Sequence, residues 1–226
     1  MGKLTPMMQQ YTSLKRKYQD SLLFFRMGDF YEMFGDDAKT ASRELEIALT
    51  SRNKGGGEKT PMAGVPAHSA DTYIAQLVKK GYRVAICEQL EDPSESSGLV
   101  HRDVIRVVTP GTVLDNVTLE DDSNNYLAAV VSHQDRIGFA YVDISTGEFA
   151  VTELDKNPEK VIDELSRVEP AELLLSNQIK ENKEIDNFLK EQLEATINLT
   201  RDNFRFKHAY QVLTDHFKTK TLHGFG

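Results

Sequence analysis

The sequence predicts an α/β protein of two domains, each built on a mixed β-sheet. Strand-length apolar runs alternate with helical stripes along the chain, and no apolar run approaches the roughly 18 residues of a membrane span. A polar, acidic stretch at residues 115–125 is poor in core-forming side chains, as a domain boundary is expected to be. We therefore expect a first domain over residues 1–114, a linker over 115–125 and a second domain over 126–226.

The first domain opens with a predicted helix. Thr5-Pro6 supplies an N-cap followed by a proline at the first helical position, and apolar side chains then recur at helical spacing to about Asp20. The segment from Leu22 to Met27 has the pattern of a buried strand, which Gly28-Asp29 interrupts. The remaining expected elements are a helix opened by Asp36-Asp37, a glycine-rich loop over 51–61, a helix over 69–80, β-rich segments over 82–90 and 104–109, and a polar loop over 91–102.

The second domain begins with three predicted strands joined by short turns, and a helix, a strand and a helix follow. Their expected ranges are 126–132, 136–144 and 148–154 for the strands, 158–167 for the helix, 172–176 for the next strand and 183–194 for the last helix. The order β-β-β-α-β-α predicts a mixed sheet.

The net charge of −8 lies entirely in the second half of the chain. Residues 1–115 contain 15 basic and 15 acidic side chains, whereas residues 116–226 contain 12 and 20. A neutral first half can gather its basic groups on one face, but the acidic second half is poorly suited to contacting phosphates. This asymmetry predicts two domains with different partners.

Several classes of protein are excluded by missing motifs. The N-terminus lacks an apolar signal core, and the single cysteine, Cys87, excludes an internal disulfide, so we expect a cytoplasmic location without a membrane partner. The loop Gly55-Gly56-Gly57-Glu58-Lys59-Thr60 is not a Walker A loop, because Glu58 replaces the glycine before the lysine. The six histidines are scattered without zinc-ligand spacing, so no metal site is expected.

Asp143 and Glu148 flank a tight turn in Y-V-D-I-S-T-G-E-F. In RNase H-type nucleases a first-strand aspartate helps to hold paired divalent metal ions for phosphodiester hydrolysis. Such a site needs three or four convergent carboxylates, and no spacing identifies the others. A metal-dependent nuclease using Asp143 therefore stays as an alternative to two solvated acids beside a turn.

The stretch R-M-G-D-F-Y-E-M-F (26–34) carries two interpretations. In an extended segment Phe30 and Glu32 project from the same face, while Tyr31 and Met33 point to the other. An aromatic side chain beside a carboxylate suits insertion into a base step from the minor groove, with the carboxylate hydrogen-bonding a displaced base. The other interpretation is a core strand with one exposed acid.

Five stretches together resemble the MutS family of DNA mismatch-repair proteins. They are T-P-M-M-Q-Q-Y (5–11), F-R-M-G-D-F-Y-E-M-F (25–34), P-M-A-G-V-P-A-H (61–68), V-A-I-C-E-Q (84–89) and R-V-V-T-P-G-T (106–112), in that family's order and spacing. The resemblance implies a mismatch-recognition domain in which Phe30 stacks on a mispaired or unpaired base and Glu32 hydrogen-bonds that base.

The resemblance also implies contacts to the DNA backbone. Arg52 matches a basic position of the family, Arg102 and Arg106 are weaker candidates, and Met27 and Asp29 flank the motif. The second half, through the turn motif around Asp143 and R-V-E-P-A-E-L-L, resembles the family's connector domain, an RNase H-like fold without nuclease activity. A fragment that docks repair partners through the acidic half is a third alternative.

The family continues through lever, clamp and ATPase domains, so the resemblance implies an N-terminal fragment with a truncated connector. No catalysis and no cofactor are expected within it, whereas ATP and Mg²⁺ are expected of the full-length parent. The implied partners are double-stranded DNA with mispairs or small loops, a second copy of the parent and a MutL-type protein.

Overall fold

The computed structural model describes residues 4–53, 59–91, 98–113, 124–200 and 204–225. The chain divides into two compact units, Met1–Ser123 and Asn124–Gly226. Most of the expected linker at 115–125 lies outside the described residues. Within the described part of the chain, every helix is too short or too polar to cross a bilayer.

The first unit is a six-stranded mixed sheet with helices on both faces. Its strands are β1 Leu22–Met27, β2 Phe30–Phe34, β3 Thr50–Asn53, β4 Lys59–Pro66, β5 Val84–Gln89 and β6 Arg102–Val108, and its helices are α1 Pro6–Lys17, α2 Asp36–Leu45 and α3 Ala70–Lys79. The strand order is β3-β4-β2-β1-β5-β6. Only β1 and β5 pair in parallel among these described strands, and the other neighbours are antiparallel.

The two faces of this sheet bury separate cores. Tyr31 and Met33 of β2 pack with the apolar stripes of α2 and α3. Phe34, on the opposite face, packs with Phe25 and with the buried side of α1. Because side chains alternate along a strand, β2 contributes to both cores, and only its first residues reach beyond them.

The structure corrects the sequence prediction around the glycine-rich loop. The sequence predicts a loop over residues 51–61, but residues 51–53 belong to β3 and residues 59–61 to β4, and these strands form an antiparallel pair. Residues 54–58 lie outside the described part. Smaller differences are the end of α1 at Lys17 and the start of β6 at Arg102. The strands were not predicted because glycine and proline weaken the sequence pattern of a strand, even where the neighbouring residues form strand hydrogen bonds.

The second unit is a five-stranded mixed sheet in the order β11-β10-β7-β8-β9. The elements are β7 Tyr126–His133, β8 Arg136–Asp143, β9 Glu148–Asp155, α4 Pro158–Val168, β10 Glu172–Ser176, α5 Asn177–Lys180, α6 Lys183–Glu191, β11 Thr196–Thr200 and α7 Phe206–His216. β7, β8 and β9 form an antiparallel meander, while β10 and β11 are parallel to β7. Three helices, α4, α5 and α6, pack on one face of the sheet. This order agrees with the RNase H-like scaffold expected from the resemblance.

The sequence prediction missed three elements of the second unit: α5, β11 and α7. The short α5 leaves no periodic signal over its four residues. Thr196–Thr200 is polar at three of its five positions, and it becomes a strand by pairing in register with β10. Tertiary pairing therefore overrides weak local propensity here.

Candidate nucleic-acid interface

A two-residue turn, Gly28-Asp29, joins β1 to β2 and presents the candidate motif. Gly28 has a φ of +59°, and Met27 pairs directly with Phe30 across the turn. A positive φ at the first turn residue is what a type II′ hairpin requires, and glycine adopts it without strain. The Arg26 Nε donates to the Gly28 carbonyl at 2.6 Å, and the Ala67 N–H donates to the Asp29 carbonyl at 2.8 Å. The turn is thus fixed from two sides.

Phe30 is the first residue of β2, and 48% of its surface is exposed. The next residue, Tyr31, is buried on the opposite face, where its hydroxyl hydrogen-bonds the Glu88 carboxylate and the Arg26 guanidinium lies 5.2 Å from its ring centroid. Burial, together with the Glu88 hydrogen bond, raises the pKa of Tyr31 to about 12. Tyr31 therefore anchors the strand while Phe30 projects from it.

Glu32 lies on the same face as Phe30 and is held by a cation. Its Oε2 accepts a hydrogen bond from Nη1 of Arg52 at 2.6 Å, and the two side chains are 18% and 41% exposed, respectively. The residue opposite Glu32 on β4 is Gly64. A Cβ on Gly64 would lie 3.3 Å from the Tyr31 carbonyl oxygen and 3.8 Å from Cγ of Glu32, so glycine avoids a tight contact with β2 at this position. Two residues that the resemblance assigned separately are in direct contact.

A cavity of about 510 Å³ adjoins Phe30 and is lined also by Arg26, Asp29 and the segment 66–68. Asp29 is exposed at the turn, and Met27 is partly buried against the core under α1. Both residues that were expected to flank the motif therefore border Phe30.

Arg102 is buried, with only 6% of its surface exposed. Its guanidinium donates to the carbonyls of Arg26 at 2.8 Å and Val100 at 2.9 Å and to Oε1 of Gln10 at 3.3 Å, and it lies 5.1 Å from the ring centroid of Phe25. Desolvation lowers the pKa of Arg102. The guanidinium donors of Arg102 therefore point into the protein. One of their acceptors, the Arg26 carbonyl, lies near the end of β1, next to the Gly28-Asp29 turn.

Arg106 is half-buried on β6, and its Nη2 donates to the Thr112 carbonyl at 3.2 Å. Its cross-strand partner is Ile86, which packs against the core beneath α2 and α3. Since Phe30 projects from the other face of the sheet, the structure does not bring Arg106 to the Phe30–Glu32 pair.

Sequence reasoning missed the residues of β4 and its continuation that border the motif. Gly64, Pro66 and His68 come within its reach only because β4 pairs with β2. They lie inside P-M-A-G-V-P-A-H, which carried part of the resemblance without any assigned role. A glycine within a strand pattern is the one local signal, because it often marks a close approach.

Asp143 of the second unit accepts hydrogen bonds from the turn that follows it. Only 1% of its surface is exposed, and its Oδ1 accepts from the Ser145 N–H, the Ser145 hydroxyl and the Thr146 N–H at 2.6–3.3 Å, while its Oδ2 accepts from the Asn125 N–H at 3.1 Å. Desolvation alone would raise the pKa of Asp143, but these hydrogen bonds together lower it below its ordinary value.

The surroundings of Asp143 differ from those that the nuclease alternative requires. Asp143 is the last residue of β8, the second strand of this unit along the chain, whereas the nuclease alternative needs an acid on the first strand. Glu148 lies opposite it on β9 and accepts a hydrogen bond from Tyr126 at 2.8 Å. Over the described residues, no group of three or more His, Cys, Asp or Glu side chains converges on a common point.

Two family models together match most of the chain. A model of MutS domain I matches residues 5–117, and a model of MutS domain II matches residues 125–226. The first match spans half of the chain and contains the Phe30–Glu32 pair. The second begins at the start of the second unit.

Curated relatives align along the whole sequence. The chain is 58% identical over 229 residues to the DNA mismatch repair protein MutS of Halothermothrix orenii, with 100% of this chain and 25% of the relative covered. The MutS proteins of Alkaliphilus metalliredigens and Methanosarcina barkeri are 50% and 46% identical over 230 and 237 residues, covering 100% and 99% of this chain and 26% of each relative. The chain spans about a quarter of the length of these relatives. It belongs to the MutS family.

Proposed function

We propose that the first unit recognises mispaired or unpaired bases in double-stranded DNA, with Phe30 as the inserting side chain and Glu32 as the hydrogen-bond acceptor for the displaced base. One observation carries this proposal: a half-exposed phenylalanine projects beside a held carboxylate from a tightly fixed hairpin. An inserting side chain should be held rigidly before binding, because a mobile side chain loses conformational entropy on insertion and the affinity falls. The names of the relatives, which are DNA mismatch repair proteins, support the same substrate class.

Magnitudes favour insertion at a weakened step. A phenylalanine presents on the order of 200 Å², so about 100 Å² of Phe30 is open to bury at an exposure of 48%. At about 25 cal/mol per Å² this supplies about 2.5 kcal/mol. Unstacking an intact base step costs a few kcal/mol, which this burial does not clearly exceed. A mispaired step is already weakened, so the same insertion there is favourable.

The charges of Glu32 and Arg52 are better suited to distinguishing mispaired from matched duplex than to tight binding of either. Glu32 disfavours close phosphates, and Arg52 offsets its charge, while Met27 and Asp29 border the inserting side chain. The contacts of Arg102 and Arg106 lie within the protein, so we assign both to the support of the fold. Binding is expected to be weak because the net charge of the chain is −8. Any contribution from Lys and Arg contacts to phosphates will fall as the salt concentration rises.

The second unit is proposed to be a connector without nuclease activity, because both carboxylate oxygens of Asp143 already accept hydrogen bonds, Oδ1 from its own turn and Oδ2 from the Asn125 N–H. ATP- and Mg²⁺-dependent steps, pairing with a second copy and a MutL-type partner are proposed for the longer proteins of the family. None of these is assigned to a residue of this chain.

Competition binding tests the proposed function. A labelled duplex with one mispair is displaced from the chain by unlabelled mispaired or matched duplex of otherwise identical sequence. We expect the mispaired competitor to be the stronger one, and equal competition would refute the proposal. Metal-dependent cutting of either duplex, abolished in Asp143→Asn, would instead support the nuclease alternative.

A further inference from the structure

The contact between Arg52 and Glu32 gives Arg52 a role that differs from a phosphate contact. Nη1 of Arg52 lies 2.6 Å from Oε2 of Glu32, and among the described residues no other group donates to this carboxylate. We propose that Arg52 is a positioning residue: it fixes the carboxylate of Glu32 through Oε2 and leaves Oε1 to accept a hydrogen bond from the displaced base. This inference rests on the proposed function of Phe30 and Glu32.

The sheet is built to allow this contact. Arg52 lies on β3 and Glu32 on β2, and β4 runs between them. Gly64, the β4 residue opposite Glu32, has no side chain that would contact Cγ of Glu32. The long side chain of Arg52 crosses β4 and reaches Oε2 of Glu32, on the face from which Phe30 projects. An ion pair that spans three strands orients Glu32 relative to the sheet, and not only relative to its neighbours on the chain.

Positioning matters because a glutamate side chain has three rotatable bonds. A free carboxylate on the surface samples many rotamers, and each ordering step on binding lowers the affinity. The pairing with Arg52, at 18% exposure of Glu32, removes much of that freedom before DNA arrives. The positive charge of Arg52 also reduces repulsion between Glu32 and phosphates, but this effect is common to matched and mispaired duplexes. The ratio of the two affinities therefore isolates the positioning effect.

A double-mutant cycle on that ratio tests the inference. Arg52→Gln is expected to lower the preference for a mispaired over a matched duplex by about two- to fivefold, the range that a part-exposed ion pair supplies. In a Glu32→Ala background the same substitution should leave the preference unchanged, because nothing remains to be positioned. Arg52→Lys, which keeps the charge and a donor, should restore part of the preference. Arg43→Gln, which removes an ion pair with Glu44 on α2, is the matched control and should have no effect.

Two results would overturn the inference. In one, Arg52→Gln weakens binding to both duplexes equally and reduces the salt slope by about one, as a phosphate contact does. In the other, it lowers the preference equally in both backgrounds. Failure of the proposed function gives a different pattern: the unmodified chain shows no preference, and Phe30→Ala changes nothing, in which case this inference falls with it. If Phe30→Ala abolishes a preference that Arg52→Gln leaves intact, only the positioning role is wrong.

Discussion

The substitution Arg102→Met tests whether Arg102, which the sequence suggests as a DNA contact, instead stabilises the β1–β2 hairpin. The guanidinium is 6% exposed and donates to the carbonyls of Arg26 and Val100. Arg26 lies at the end of β1, one residue before the strand's last position. Removing the guanidinium therefore withdraws a hydrogen bond to the Arg26 carbonyl, next to the turn that presents Phe30.

The magnitude follows from these contacts. A buried carbonyl that loses its donor costs about 1–3 kcal/mol. The hydrogen bond to the Val100 carbonyl is buried and the one to the Arg26 carbonyl is partly buried. Methionine preserves packing against Phe25, and it also removes the desolvation penalty of a buried charge, which offsets part of the loss. We expect the free energy of unfolding of the first unit to fall by about 2–4 kcal/mol, or its Tm by roughly 10 °C.

Calorimetric melts of the wild-type chain, of Arg102→Met and of Arg106→Met measure this change. Arg106 is the control, because it is half-buried and donates to one carbonyl, so we expect a loss of less than about 1 kcal/mol. A melt of Arg102→Met that matches wild type, together with weaker DNA binding and a smaller salt slope, would refute this stabilising role and restore Arg102 as a phosphate contact.

Two further predictions concern the glycine opposite Glu32 and the turn of the second unit. Gly64→Ala places a methyl group 3.3 Å from the Tyr31 carbonyl and 3.8 Å from Cγ of Glu32. We expect a smaller preference for the mispaired over the matched duplex in binding measurements, and a free energy of unfolding lower by about 1 kcal/mol in a melt. An unchanged preference would mean that Glu32 does not need a glycine opposite it. The lowered pKa of Asp143 means that its contribution to stability is present above about pH 4, near the ordinary aspartate pKa, and is lost as the pH falls through the folded-state pKa. Asp143→Asn should therefore destabilise the second unit at pH 7 and flatten its acid dependence, and parallel pH profiles for variant and wild type would contradict this assignment.

The sequence predicted most elements whose signal is local. Thr5-Pro6 marked the start of α1, and the run from Leu22 to Met27 matched β1 to the residue. Alternation also separated Phe30 and Glu32 from Tyr31 and Met33, because a period of two is set by the backbone alone. These features needed no knowledge of distant partners.

The rest depended on contacts between residues far apart in the chain. Pairing with β4 placed Gly64 opposite Glu32, and no local pattern encodes that register. The burial of Arg102 and the contact between Arg52 and Glu32 likewise arise only when the sheet is assembled. An arginine has the same appearance in a sequence whether its donors face DNA, a carboxylate or a buried carbonyl.

The most direct test of the central claim is the binding of Phe30→Ala to a mispaired and to a matched duplex at several salt concentrations. We expect the variant to lose its preference for the mispaired duplex, by up to about 2.5 kcal/mol from the apolar area of Phe30 that insertion buries. Its salt-dependent binding to the matched duplex should be largely kept, since Phe30 carries no charge. Equal losses on both duplexes, or a preference that survives the substitution, would contradict the role of Phe30 as the mismatch probe.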